Sequence, residues 1–297
     1  MNVLVSGSHG LVGSALVRSL EAGGDTVRRL VRGQPSDGDV AWDPKGGTID
    51  RAALEGVDAA VHLAGAGIGA KRWTRAHKRE IRDSRVRGTH LLAEALAERP
   101  AKPRVLVSAS GVGIYGDRGD EVLTEDSALG EGFLAEVCQE WEAATGPARE
   151  AGIRVVTVRS GVVLSPAGGA LKKQLPLFRL GLGGNLGSGW QYVSWISIDD
   201  EVAAIRHALA TTTLDGPVNL TSPEPVRNAR FTKTLGRVLG RPTFLAVPRP
   251  ALAVALGREL ASEFLGGQRV LPTRLEASGY RFRHPDLEGA LRHLLGR

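Results

Sequence analysis

Seven residues near the start of the chain, Gly7-Ser8-His9-Gly10-Leu11-Val12-Gly13, restrict its fold more than any other stretch. They join residues 2–6, an apolar run with the β-branched character of a buried parallel strand, to residues 11–21, whose apolar side chains recur at helical spacing. At such a strand-to-helix turn the three glycines of GxxGxxG have separate jobs. Gly7 permits the tight turn, Gly10 lets backbone amides approach a diphosphate, and Gly13 lets the helix pack closely on the sheet. The unsatisfied amides and the dipole of the helix N-terminus then face an anion. Gly7, Ser8, Gly10, Leu11, Val12 and Gly13 are therefore expected to hold the diphosphate of a dinucleotide.

The rest of the chain continues the alternation. Strand-like runs at 27–31, 59–64, 104–108 and 154–159 are interleaved with helix-like stretches, chiefly 75–96 and 134–150. This predicts an α/β fold with a doubly wound, parallel Rossmann sheet. After Gly161 the pattern changes, and the glycine-rich stretch 181–189 reads as a loop or insertion. Later segments 231–239, 251–265 and 287–295 read as helices, whereas 198–210 is expected to return to the main domain. The expected division is a dinucleotide-binding domain over 1–164, rejoined by 190–220. A smaller C-terminal substrate or lid domain takes 165–189 and 221–297.

A hydrophobic fraction of 42% suits a sizeable core and argues against disorder on the scale of the chain. The net charge of +6 comes from dispersed residues with no nucleic-acid module, which turns the reading from nucleic acid towards a small anionic ligand. The densest basic cluster, from Lys71 to Arg87, also holds Glu80 and Asp83 and reads as a solvated helix face. No apolar run has the length of a membrane span and the opening residues have no leader pattern, so a cytoplasmic location is expected. The single cysteine, Cys138, lacks the neighbours of a metal site and reads as a small buried hydrophobe. No metal is expected, and the sequence sets no oligomeric state.

At the end of the second strand stands Arg32, where a protein selecting an unphosphorylated ribose presents Asp or Glu. A guanidinium instead suits a 2′-phosphate, through charge-assisted bidentate hydrogen bonds. The expected cofactor is NADP(H). The small residues in Val61-His62-Leu63-Ala64-Gly65 would let it lie against the strand end, or reflect close packing alone. Trp42 is open to two readings, a wall on the adenine side or a cover over the core edge.

Together with Ser84-Arg85-Val86-Arg87-Gly88-Thr89, Ser108-Ala109-Ser110-Gly111-Val112-Gly113-Ile114-Tyr115-Gly116, Arg159-Ser160-Gly161-Val162-Val163-Leu164 and Gly267-Gln268-Arg269-Val270-Leu271-Pro272, these stretches resemble the extended short-chain dehydrogenase/reductase superfamily. The closer resemblance is to its atypical SulA/YfcH-type, epimerase/dehydratase-like members. It implies a nicotinamide cofactor, with Leu63, Ala64, Glu80, Arg85 and Val163 beside it, and a C-terminal domain that shapes a small-molecule pocket.

One departure bears on chemistry. Such enzymes use Ser, Tyr and Lys, the tyrosine exchanging a proton and the lysine lowering its pKa. Here the tyrosine position falls on Phe133 or Leu134 and the lysine position on Val137 or Cys138. Ser110 matches the family serine and is a candidate to hydrogen-bond substrate, the alternative being that it only satisfies the strand end. Tyr115 is a candidate substitute phenol or a packing residue. The expected function is an NADP(H)-dependent, epimerase-like oxidoreductase acting on a sugar nucleotide or carbonyl compound. The competing expectation is a non-catalytic NADP(H)-binding regulator.

Overall fold

The computed structural model describes residues 1–297. Both faces of the first strand are covered, and its sequence shows how. In Asn2–Ser6, Val3 and Val5 point into a core lined by Leu16, Leu20, Val61 and Ile205, while Leu4 points into another with Leu30, Leu92 and Leu106. Period-2 side chains that are apolar on both faces place the strand at the middle of a sheet clad by helices.

That sheet has eight strands, in the order Gly216–Leu220, Arg154–Ser160, Val105–Gly111, Ala59–His62, Asn2–Ser6, Thr26–Val31, Val40–Asp43, Thr48–Ile49. All neighbours are parallel except the last pair, which is antiparallel. The chain runs outward from Asn2–Ser6 on one side, then returns to start the other side at Ala59–His62. The strand order therefore reverses between Ser6 and His62, the crevice position at which open α/β sheets take their ligands. The α/β class with a doubly wound parallel sheet is as the alternation predicts.

Several elements differ from the sequence reading. The stretch 134–150 is two helices, Phe133–Ala143 and Gly146–Glu150, because Pro147 has no amide to continue the ladder. Likewise 251–265 divides into Arg249–Leu256 and Arg258–Leu265 at Gly257, which takes φ +87°. The glycine-rich stretch 181–189 contains a short strand, Gly184–Leu186, parallel to Leu245–Val247. A Cβ on Gly184 would lie 1.3 Å from the Leu245 carbonyl oxygen, so glycine there permits strand approach and is no mark of a loop.

A further core forms outside the sheet. Leu171, Leu175 and Phe178 of helix Gly169–Arg179 pack with Phe231 and Leu235 of helix Asn228–Leu239 and Leu291 of helix Leu287–Leu295. Helix Ile198–Ala210 instead buries Val202, Ile205 and Leu209 under the main sheet. No helix is long and apolar enough to cross a membrane.

Candidate functional site

Steric contact explains each glycine of the opening turn. A Cβ on Gly7, at φ +67°, would lie 2.8 Å from the Leu63 carbonyl. One on Gly13 would lie 2.1 Å from the Gly7 carbonyl oxygen, and one on Gly10 would lie 3.1 Å from that oxygen. Helix Leu11–Ala22 begins after Gly10 with no side-chain cap and no acidic residue in its first turn, so its dipole end is left to an anion.

At the reversal point, Ser6 Oγ lies 2.7 Å from His62 Nδ1 and accepts from the amides of Leu63 at 3.1 Å and Ala64 at 3.3 Å. With both amides donating to it, the Ser6 hydroxyl donates to Nδ1. Burial pushes the His62 pKa down to about 4, so the imidazole is neutral at physiological pH. Ser6 and His62 escape sequence reasoning because their pairing needs the strand register. They fix the strand end that Gly7 must clear.

The cleft above this turn has a volume of about 1160 Å³. Its lining includes the predicted residues Gly7, Ser8, Gly10, Arg32, Leu63, Ala64 and Glu80. Arg32 is exposed at its rim. Trp42 is buried against the core edge and also lines the cleft. Lys71, Arg79, Glu80, Asp83, Ser84 and Arg87 form one wall, so part of the stretch read as a solvated helix face is turned to the cleft. Residues 76, 80, 83 and 87 recur at helical spacing, a signal present in the sequence. With Lys45, the lining carries five Lys/Arg cations against the carboxylates of Glu80 and Asp83. Glu80 bonds His77 at 3.1 Å and Lys71 at 3.4 Å. The His77 hydrogen bond, followed by Lys71, holds its carboxyl below the usual range.

Other expected cofactor neighbours stand back from the cleft lining. Arg85 is buried, donates to the carbonyls of Ala66 at 2.9 Å and Ile81 at 3.1 Å, and stacks over Trp141 at 4.9 Å. It shapes the loop after Leu63, assisted by Ser84, whose hydroxyl accepts from the Ala66 amide at 3.0 Å. Val163 pairs in register with Ile196, and both Val163 and Val12 pack on the main core. Leu11 borders a different hollow, beside Ser165 and Ala167.

The two catalytic candidates lie on a buried polar chain. Ser110 Oγ donates to Glu142 at 2.7 Å, and Arg159 grips the same carboxylate through Nε at 2.8 Å and a terminal nitrogen at 2.9 Å. Arg159 also donates to the Tyr115 hydroxyl at 2.9 Å, which donates to Asn219 at 2.7 Å. Tyr115 is 0% exposed, its hydroxyl engaged on both sides, and burial raises its pKa despite Arg159. The structure thus keeps Tyr115 away from the cleft. Cys138, on the helix where the family lysine would stand, is also buried, and burial pushes its thiol up to about 11. The pairing of Glu142 with Arg159 has no signal in the sequence, although Arg159 opens one of the stretches that carry the family resemblance. Sequence reasoning missed Glu201, which accepts from Ser160 at 2.6 Å and is pushed up to about 7 by burial.

The sequence profile described as "NAD dependent epimerase/dehydratase family" matches residues 3–220, and that of a "domain of unknown function (DUF1731)" matches 247–294. Over 290 residues the chain is 48% identical to the epimerase family protein Mb2239 of Mycobacterium bovis, covering 97% of this chain and 96% of that one. It is 39% identical over 298 residues to the epimerase family protein SDR39U1 of Homo sapiens, covering 99% of this chain and 100% of that one. A crystal structure of human SDR39U1 (isoform 2) with NADPH superposes with a TM-score of 0.93 at 38% identity, covering 100% of this chain and 99% of that one.

Proposed function

The chain belongs to the NAD-dependent epimerase/dehydratase family, and from that premise we propose that it binds NADP(H) across the glycine turn and acts as an epimerase-like oxidoreductase on a small molecule. One observation carries the cofactor reading. Three glycines with no room for a Cβ beyond a tight contact, Gly7 against Leu63 and Gly10 and Gly13 against the Gly7 carbonyl, stand under an uncapped helix end, with Arg32 exposed at the rim of the same basic cleft. The first-turn amides would hold the diphosphate, and Arg32 the 2′-phosphate. The volume of about 1160 Å³ exceeds the roughly 300–1,000 Å³ of ordinary small-ligand pockets and has room for a dinucleotide. The human relative crystallised with NADPH supports the same choice. When bound, the nicotinamide would supply hydride transfer at an oxygen-bearing carbon. Residues 1–164 and 190–220 would carry the cofactor, and 165–189 with 221–297 would close on a sugar nucleotide or carbonyl compound.

A second reading, an NADP(H)-binding regulator without turnover, is favoured by the polar chain. Phe133 or Leu134 stands at the tyrosine position, Ser110 donates inward to Glu142, and Tyr115 is enclosed. The test is calorimetric titration with NADPH and NADH, then incubation with NADPH and a panel of carbonyl compounds and sugar nucleotides. Tighter NADPH binding with absorbance loss at 340 nm or isomer formation supports the enzyme. Binding without turnover supports the regulator, and no binding of either dinucleotide defeats both.

A further inference from the structure

Asp199, far away in sequence, meets His284 and His293 of the C-terminal region on one surface of the fold. Asp199 lies in the first turn of helix Ile198–Ala210, His284 in the segment before the C-terminal helix, and His293 within helix Leu287–Leu295. Their ligand-capable atoms all lie within 4.8 Å of one another, with His293 Nε2 2.9 Å from Asp199 Oδ2. The two imidazoles stack with centroids 4.3 Å apart at 26°. We propose that these three side chains form a binding site for a first-row transition-metal dication of the zinc type.

The donor set selects the metal. Two imidazole nitrogens and one carboxylate oxygen suit zinc and its borderline neighbours, whereas magnesium and calcium require oxygen ligands throughout. Ligand atoms about 2.0–2.1 Å from a tetrahedral zinc lie roughly 3.3–3.5 Å apart. The His293–Asp199 separation of 2.9 Å is shorter than that figure and the others reach no further than 4.8 Å, so binding would require the stacked rings to turn and open around the ion. Water would complete the coordination, since Asp199 and His293 are partly exposed.

Hydrogen bonds around the site hold it without any metal. Asp200 is fully buried and accepts from the backbone amides of Arg283 at 2.8 Å and His284 at 3.0 Å, and from the hydroxyls of Ser197 and Tyr280. It thereby anchors His284 to the helix that carries Asp199, the kind of outer-shell support that orients metal ligands. A bound ion would tie that helix, packed under the main sheet, to the C-terminal helix, packed in the other core. Two features temper the affinity: the positive end of the helix dipole at Asp199, and Arg206 and Arg283, which line the same hollow as Asp199. Neither provides a competing ligand. The proposal does not depend on the dinucleotide reading.

The experiment is calorimetric titration of tag-free, full-length protein with ZnCl2, alongside thermal melts with ZnCl2 or MgCl2 and a visible spectrum with CoCl2. The expected result is about one zinc per chain, a melting temperature raised by zinc and not by magnesium, and a cobalt absorption band. His284→Ala and His293→Ala should each weaken zinc binding by at least about tenfold, as should the volume-matched His284→Gln and His293→Gln. His90→Ala, which changes an exposed histidine paired with Glu94, should bind like the unaltered chain. The proposal is overturned if the unaltered chain takes no zinc, or if the doubly substituted His284→Gln/His293→Gln chain binds it equally well.

Discussion

The hydroxyl of Ser110 donates to Glu142 at 2.7 Å, and that carboxylate is gripped at two points by Arg159. Arg159 is 4% exposed. Burial alone would lower the pKa of its guanidinium, and the Glu142 carboxylate more than offsets this, so it remains firmly charged. The serine that matches the family serine by resemblance thus donates its hydroxyl to the carboxylate of a structural Arg159–Glu142 ion pair.

Removing Glu142 should strand that charge. Glu142→Ala is expected to lose about 3 kcal/mol of stability, the lower end for a broken buried pair because Glu142 is partly exposed. Arg159→Ala should cost a similar amount, and the double variant clearly less than the sum. Urea denaturation of the four chains checks this, and strict additivity would show the pair to be uncoupled.

Tyr115→Phe should be a stability variant. Losing the hydroxyl leaves Asn219 and Arg159 each short of a partner, at about 1–2 kcal/mol. NADPH affinity should hold within a factor of about two, well under 1 kcal/mol. A large fall in affinity with unchanged melting temperature would place Tyr115 at the cofactor after all.

Arg32→Ala tests the 2′-phosphate. One charge-assisted hydrogen bond is worth about 1.5–3 kcal/mol, so NADPH binding should weaken by about tenfold or more while NADH binding stays nearly constant. Equal losses for the two dinucleotides would remove Arg32 from that role.

The glycine turn ranks its own substitutions. Gly13→Ala puts a methyl 2.1 Å from the Gly7 carbonyl oxygen and should cost about 2–3 kcal/mol together with dinucleotide binding. Gly10→Ala, with its contact at 3.1 Å, should be milder in both respects. Melting curves and NADPH titration give the order, and the reverse ranking would contradict the packing.

His62 should shape the acid limb of stability. Its folded pKa is about 4 against 6.5 when unfolded, so between those values the unfolded chain binds the extra proton. Stability therefore falls as pH drops from 6.5 to 4, by about 3 kcal/mol from this group. His62→Asn has no such titration. Its deficit relative to the unaltered chain should shrink by about that amount from pH 7 to pH 4, and a constant deficit would refute the buried neutral imidazole.

Much of this was legible in the sequence because it depends on neighbours along the chain. The alternation in Asn2–Ser6, the helical stripe after it and the glycines between them are local patterns, and local sterics allow few alternatives at such a turn. The position of Arg32 was readable for the same reason, since it follows the second strand directly. The helices that broke at Pro147 and Gly257 were read too long because apolar spacing continued across both breaks.

What the tertiary structure alone decided is which distant groups share a proton or a charge. Ser110 meets Glu142 across 32 residues, Tyr115 meets Asn219 across 104, and Asp199 meets His293 across 94. None of these pairs has a periodicity, because strand order and helix docking bring them together. The sequence determined a dinucleotide-type fold with its anion-facing turn; packing determined that Tyr115 is enclosed, that Ser110 faces a carboxylate, and that two histidines and an aspartate converge.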